Sequence, residues 1–227
     1  MKKTSAFLLL AIAAGLTLNS CNKDNPIVAG SNSHRAVEEA VTGMVVEQEE
    51  VSSFLQMVNN SGVPVVVIPD TGYNVVVQAS SVEALSSITT DVSSGTLVIN
   101  APATTSATEA TVFVYAPPVE MVTLGGNGTI EMQGTYQLLD VFINGSGTVT
   151  LSGSTQNLQV GGSGNGQLHA LNLPSGNVAV NLKGNAIAKV APQSSLQVNL
   201  SGNSKVFYTG NPIVTKTLKG NASIKKI

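Results

Sequence analysis

One five-residue pattern recurs at Leu182-Lys183-Gly184-Asn185-Ala186, Leu200-Ser201-Gly202-Asn203-Ser204 and Leu218-Lys219-Gly220-Asn221-Ala222. Each copy has an apolar residue, a variable residue, a glycine, then Asn or Ser, and then a small residue. Three earlier copies follow the same pattern: Leu124-Gly125-Gly126-Asn127-Gly128, Ile143-Asn144-Gly145-Ser146-Gly147 and Val160-Gly161-Gly162-Ser163-Gly164. Alternating apolar residues before each copy indicate strands that lead into a turn.

The spacing of the central glycines predicts the fold. Gly126, Gly145, Gly162, Gly184, Gly202 and Gly220 are separated by 19, 17, 22, 18 and 18 residues. A period of about 20 residues with one turn per period is typical of a solenoid. We therefore predict stacked β-coils from about residue 120, with two or three short strands in each coil. The central glycines should supply a backbone with positive φ, and the Asn residues should stack between neighbouring coils.

Glycine-rich turns also occur in phosphate-binding sites. There the loop opens a helix and often carries a lysine. In this chain the glycines lie between strands, so we interpret them as structural.

The chain from residue 44 to 120 also has a β pattern. Val63–Ile68 and Tyr73–Gln78 flank turn-forming Pro69-Asp70-Thr71-Gly72, which predicts a hairpin. Ser93-Ser94-Gly95 separates two further runs in the same way. The other predicted elements are a strand over Ala110–Ala116 and a helical turn over Val82–Ser86.

Composition argues against an enzyme. Only 11% of the residues are charged, against about 25% in typical domains, and the two histidines are His34 and His169. All thirteen acidic residues lie at or before Asp140, and Glu120, Glu131 and Asp140 show no ligand spacing. The coils therefore lack the carboxylate pair that glycoside hydrolysis normally uses. His169 alternates with apolar neighbours and is expected to face outward. We predict no catalytic residue, no metal and no cofactor.

The N-terminus resembles a bacterial lipoprotein signal. Two lysines precede an apolar run over Ala6–Leu18, and Leu18-Asn19-Ser20-Cys21 follows. Thirteen helical residues span about 20 Å, which is too short for a hydrocarbon core of about 30 Å. We predict a signal peptide over residues 1–20, lipidation of Cys21, and a flexible tether over residues 21–43. The alternative is an ordinary secretory signal with a cysteine at this position by chance.

Charge divides the mature chain into two parts. Residues 141–227 contain seven lysines and no acid, whereas residues 22–140 contain Lys23 and Arg35 against thirteen acids. Such a dipolar domain can orient at an anionic surface, and Lys183 and Lys219, at the same repeat position, are the candidate ligand-facing residues. The alternative is solubility and protection of an open strand edge. The export signal and the lack of interleaved aromatic residues argue against nucleic acid.

The chain resembles the head GIN domain family of auto-transporter adhesins, which is common in Bacteroidetes. The likeness runs from about Val46 to the C-terminus, through Val51-Ser52-Ser53-Phe54, Gly95-Thr96-Leu97-Val98-Ile99, Val112–Pro117 and the Gly-Asn or Gly-Ser turns. It implies a domain over residues 44–227 with a mainly right-handed parallel β-helix, usually on an exported protein, in a family with no established enzyme activity. It carries no functional residue over to this chain.

These observations predict a cell-envelope lipoprotein of the outer membrane, either surface-exposed or facing the periplasm. Its expected role is non-catalytic adhesion or ligand binding, with an anionic glycan or another surface component as ligand. A structural envelope protein without an external ligand is the alternative, and a carbohydrate-active β-helix enzyme is a more distant one. The expected partners are the membrane, through the lipid anchor, and the glycan or cell-surface ligand.

Overall fold

Parallel strand pairing dominates the computed structural model, which describes residues 35–39, 44–105 and 109–227. The strands before residue 120 are β1 (Arg35–Glu39), β2 (Val45–Glu50), β3 (Gln56–Asn59), β4 (Val65–Pro69), β5 (Asn74–Ala79), β6 (Thr89–Ser93), β7 (Thr96–Asn100) and β8 (Ala110–Ala116). The later ones are β9 (Met121–Leu124), β10 (Thr129–Ile143), β11 (Thr148–Gly164), β12 (Gln167–Gly184), β13 (Ile187–Gly202), β14 (Lys205–Tyr208), β15 (Ile213–Gly220) and β16 (Ser223–Lys226). The short helix α1 covers Val82–Ser87.

Each long strand belongs to two faces of a β-solenoid. Residues 130–132 of β10 pair with β4, whereas its residues 140–143 pair with β9. We call face A the surface formed by β9, the C-terminal halves of β10 to β13, and β15. Face B is formed by β4, the N-terminal halves of the same strands, β14 and β16. The predicted all-β solenoid is confirmed.

Alternation along the strands builds the core. Residues with side chains that point inward stack in columns, because parallel pairing places the same repeat position of successive coils side by side. One column on face A contains five buried valines in successive coils: Val122, Val141, Val160, Val180 and Val198. The residues between these inward positions point outward and form the surface of each face.

The stacked glycines follow a more regular period than the sequence pattern indicated. Gly164, rather than Gly162, pairs with Gly184, while Gly162 pairs with Leu182. The turn column is therefore Gly126, Gly145, Gly164, Gly184, Gly202 and Gly220, spaced 19, 19, 20, 18 and 18 residues apart. Assigning Gly162 to this column was wrong, because backbone pairing with Ile143 keeps Gly162 within the strand.

Glycine is needed in this turn column for two different reasons. From Gly164 onward the column has positive φ, from +109° at Gly164 to +75° at Gly220, as predicted. Gly126 and Gly145 have no positive φ, so the prediction was wrong for them. There the reason is close approach, because a Cβ on Gly145 would lie 1.9 Å from the carbonyl oxygen of Gly126.

Asparagines form the predicted ladder along this turn. The Nδ2 of Asn185 donates to the Oδ1 of Asn165 at 2.8 Å, and Asn203 donates to Asn185 at 2.8 Å. Asn221 continues the series by donating to Asn203 at 3.1 Å. Each amide therefore fixes the register of its coil against the previous one.

The N-terminal part corrects one pairing. The predicted strands around residues 63–68 and 73–78 exist as β4 and β5, but they do not pair as a hairpin. Strand β8 lies between them, parallel to β4 and antiparallel to β5. The turn itself was predicted correctly, since the Asp70 carboxylate accepts hydrogen bonds from the backbone N–H groups of Thr71 and Gly72.

Other N-terminal predictions are confirmed. Strands β6 and β7 form an antiparallel hairpin whose turn places Ser94 at φ +50° and Gly95 at +73°. Strand β8 covers Ala110–Ala116, as predicted. Helix α1 begins after Ser81, whose hydroxyl accepts a hydrogen bond from the backbone N–H of Ala84.

The predicted tether is partly structured. Strand β1 lies within residues 21–43 and pairs antiparallel with β2, because the edge of β2 offers unpaired backbone groups. The predicted signal peptide and Cys21 lie outside the described residues. None of the helices in the described ranges is long and apolar enough to cross a membrane.

Candidate ligand-binding face

Face A presents outward side chains in three columns, one residue from each coil. The first contains Asp140, Gln159, Ala179, Gln197 and Thr215. The second contains Phe142, Gly161, Asn181, Asn199 and Thr217. The third, which we call the lysine column, contains Ser163, Lys183, Ser201 and Lys219. Parallel pairing therefore joins side chains that lie 18 to 20 residues apart in the sequence.

The two candidate lysines lie where the repeat pattern placed them. Leu182 pairs with Leu200, so Lys183 and Ser201, which follow them, lie side by side on neighbouring coils. Ser201 in turn pairs with Lys219. Both lysines are exposed. Strands in a sheet are about 4.8 Å apart, so the two lysine backbones lie about 10 Å apart, with Ser201 between them. The sequence has no carboxylate side chain after residue 140, so the coils that carry these lysines bring no acid to them.

The remaining lysines do not join this column. Lys189 and Lys225 occupy one outward column of face B, with Phe207 between them. Lys216 and Lys226 lie on the last coil, and the Lys226 ammonium donates to the amide oxygen of Asn211. Lys205 lies on β14 and therefore also belongs to face B. The seven C-terminal positive charges are thus divided between two faces and the open end of the solenoid.

His169 faces outward on face B, as expected, between Thr150 and Lys189. Its Nε2 is buried and has no hydrogen-bond partner among the described residues. Burial, and then the nearby Lys189 charge, lower the pKa of His169 below its ordinary value. The side chain is therefore kept neutral at physiological pH and adds no charge to face B.

The coils bring together two acids, Glu120 and Asp140, that are 20 residues apart in the sequence. The backbone N–H of Asp140 donates to the carbonyl oxygen of Glu120 at 2.8 Å, so these residues lie on neighbouring strands. Burial, and then the Glu120 carboxylate, raise the pKa of Asp140. Sequence reasoning missed this pair because it looked for ligand spacing along the chain, although the separation of 20 residues equals one predicted coil. In the described part of the chain no three acidic, His or Cys side chains form a group that could hold a metal ion.

A shallow groove lies beside the lysine column on face A. Its volume is about 280 Å³, and it arises where Gly161 and Ala179 replace larger side chains. Phe142 and the amide side chains of glutamines and asparagines line it. Sequence reasoning missed these residues, although Gly161, a second glycine beside Gly162, was the signal of a small side chain on this surface.

The family assignment follows from the same repetitive region. Residues 53–212 match the family described as putative auto-transporter adhesin, head GIN domain. The chain belongs to this family. The match begins after β2 and ends before β15, so it is shorter at both ends than the resemblance from about Val46 to the C-terminus, but the predicted family is confirmed.

Solved structures share the fold of this head GIN protein. A putative adhesin from Bacteroides fragilis has a TM-score of 0.66 at 17% identity, covering 81% of this chain and 97% of its own. A putative lipid binding protein from Parabacteroides distasonis has a TM-score of 0.52 at 16% identity, covering 82% and 98%. A putative adhesin from Parabacteroides merdae has a TM-score of 0.50 at 12% identity, covering 82% and 97%. No curated protein sequence matches this chain.

Proposed function

We propose that this protein is a lipid-anchored module of the cell envelope that adheres, without catalysis, to an anionic glycan through face A. The observation that carries the proposal is the lysine column. Lys183 and Lys219 lie two coils apart with the Ser201 hydroxyl between them, on coils that contain no carboxylate. Repeated acidic groups of a polysaccharide can contact such a column in series.

The chemistry of the column suits this ligand. A lysine ammonium offers three hydrogen-bond donors and a full positive charge, and a serine hydroxyl both donates and accepts. Exposed charges attract an anionic polymer over a distance of about 8 Å at physiological salt. The adhesin description of the family supports a role in attachment. The Cys21 anchor would hold the domain at a membrane, since multiple acyl chains give stable anchoring.

A matched pair of double variants tests the lysine column. Lys183→Glu with Lys219→Glu reverses two charges on face A, whereas Lys189→Glu with Lys225→Glu reverses two charges at equivalent spacing on face B. We expect the first variant to lose most of its retention on immobilised polygalacturonate at low salt, and the second to keep it. Equal retention of both variants would contradict the proposal and favour the structural envelope role.

The anchor and the exposed location need separate measurements. Cys21→Ser should release the protein from sedimented membranes, and continued sedimentation would show that lipidation does not hold it. Protease treatment of intact cells, with a C-terminal tag and a cleavage site engineered near Asn32, reports the location. Loss of the tag without lysis would support adhesion outside the cell, whereas protection until the outer membrane is broken would contradict it.

A further inference from the structure

We propose that the groove on face A is a binding site for uncharged sugar rings of a polysaccharide. It is formed by β10 to β13 and lined by Phe142, Gln159, Gly161, Ala179, Asn181, Gln197 and Asn199. The proposal rests on the proposed function in one respect, namely that the ligand is a glycan. It adds a second, neutral recognition element beside the lysine column.

Small residues create the concave shape. In the first outward column Ala179 lies between Gln159 and Gln197, so a methyl group stands between two long side chains. In the second column Gly161 lies next to Phe142. A Cβ on Gly161 would lie 2.7 Å from two ring carbons of Phe142, so the ring lies over this glycine. The depression spans four coils, a distance of about 14 Å between the outer strands.

The amides of the groove differ from those of the turn ladder. Asn165, Asn185, Asn203 and Asn221 donate to or accept from one another. By contrast, within the described ranges the side-chain amides of Gln159, Asn181, Gln197 and Asn199 have no protein partner. Each amide offers two donors and one acceptor oxygen, the complement that vicinal sugar hydroxyls require. These four groups are available for a ligand.

The half-exposed Phe142 ring supplies the apolar element. The face of an aromatic ring carries negative quadrupole charge, which attracts the weakly positive C–H groups on the apolar side of a sugar ring. An aromatic surface next to several orienting polar groups is the usual composition of a small-ligand site. An acyl chain would leave the four amides without hydrogen bonds, so this lining favours a hydroxyl-rich ligand over a lipid.

The strand pairing excludes one other mode of binding. A peptide that adds to a sheet needs an edge with unpaired backbone groups. Strands β11 and β12 are each paired on both sides along face A, so the floor of the groove has no such edge. Recognition here depends on side chains, which suits a sugar ring better than an extended peptide.

Two types of variant test the groove in the full-length protein. Ala179→Gln fills the depression with the side chain found in the coils on either side of it. Asn181→Ala with Asn199→Ala removes two amides and leaves the shape. Gln167→Ala, which removes an exposed amide from the face B half of β12, is the matched control.

The probes are dextran, mannan, galactan and arabinan, used in affinity gel electrophoresis in detergent, with dextran sulfate as the charged counterpart of dextran. We expect at least one neutral polysaccharide to retain the wild-type protein, and this retention should not depend on salt. Retention should be at least tenfold weaker for both groove variants and unchanged for Gln167→Ala. Retention by dextran sulfate that is lost in Lys183→Glu with Lys219→Glu tests the lysine column separately.

Three outcomes would overturn the proposal. The first is that none of the four neutral polysaccharides retains the protein. The second is that both groove variants are retained as strongly as the wild-type protein. The third is that the protein binds phosphatidylcholine vesicles but no polysaccharide, and that Ala179→Gln abolishes the vesicle binding. If only the lysine variants lower binding, the proposed function stands and the groove proposal fails. If only the groove variants lower it, the lysine column fails instead.

Discussion

Lys216 occupies the interior position of the last coil that Val198 occupies in the coil before it. Four more buried valines continue this column through the earlier coils. Within the described residues no further coil covers Lys216, and its apolar neighbours Val214 and Leu218 are 36% and 37% exposed. A charge at this position lets the last coil face water and discourages a further strand from pairing with its edge.

Lys216→Val should therefore promote self-association through the exposed last coil of the solenoid. We expect self-association at concentrations where the wild-type protein does not associate, measured by light scattering after size-exclusion chromatography. Lys219→Val removes the same charge from an outward position of the same strand and is the control. Equal association of the two variants would show that net charge, rather than the interior position, is responsible.

Gly145→Ala should destabilise the stacked turns. Its Cβ would lie 1.9 Å from the carbonyl oxygen of Gly126, so one backbone would have to move. We expect a loss of about 3 kcal/mol in the free energy of unfolding, measured in urea by circular dichroism. Gly72→Ala, where the nearest atom is 3.7 Å away, should cost less than about 0.5 kcal/mol. Similar losses in both variants would contradict close approach as the reason for Gly145.

Asn203→Ala removes two rungs of the asparagine ladder, one at 2.8 Å and one at 3.1 Å. Because both hydrogen bonds are exposed, we expect a total loss of about 1 kcal/mol in the free energy of unfolding. Asn199→Ala changes an exposed asparagine of β13, four residues before Asn203, that has no hydrogen-bond partner among the described residues. It should change the free energy of unfolding by less than about 0.5 kcal/mol. The ladder would be energetically unimportant if the two substitutions had equal effects.

Asp140 makes stability depend on pH. Burial, and then Glu120, raise the pKa of this carboxyl above its usual 3.8, so its charged form is less favourable in the folded protein than in the unfolded chain. The stability that the neutral Asp140 carboxyl contributes is fully present below the pKa of this group in the unfolded chain. It is lost as the pH rises through the raised pKa in the folded protein. Asp140→Asn should therefore gain stability relative to wild type between about pH 3 and about pH 7. A difference in unfolding free energy between Asp140→Asn and wild type that stays constant over this range would contradict the assignment. Glu120→Gln, which removes the neighbouring carboxylate, should reduce the pH dependence of that difference.

The positions of strands in this chain could be predicted from the sequence because the alternation of side chains along a strand is a local pattern. Val112 and Val114 alternate with half-buried residues, and Pro117 and Pro118 end the run, so strand β8 was predicted with its observed bounds. Its pairing partners were not predictable in this way. The turn at Asp70 satisfied every local rule for a hairpin, yet β8 lies between the two flanking strands and pairs with both, and this long-range pairing leaves no local signal in the turn.

The sequence alone determined the repeat, the all-β class, the family and the candidate lysines, since each depends on residue type at a regular spacing. The tertiary structure decided the register that places Gly164 in the turn column, and it divided the lysines between two faces and an open end. It also assembled the groove from residues on four successive coils, among them Phe142 on β10 and Ala179 on β12. The physical reason is that parallel stacking joins residues 18 to 20 positions apart, and the exact offset is set by backbone hydrogen bonds and close packing between coils.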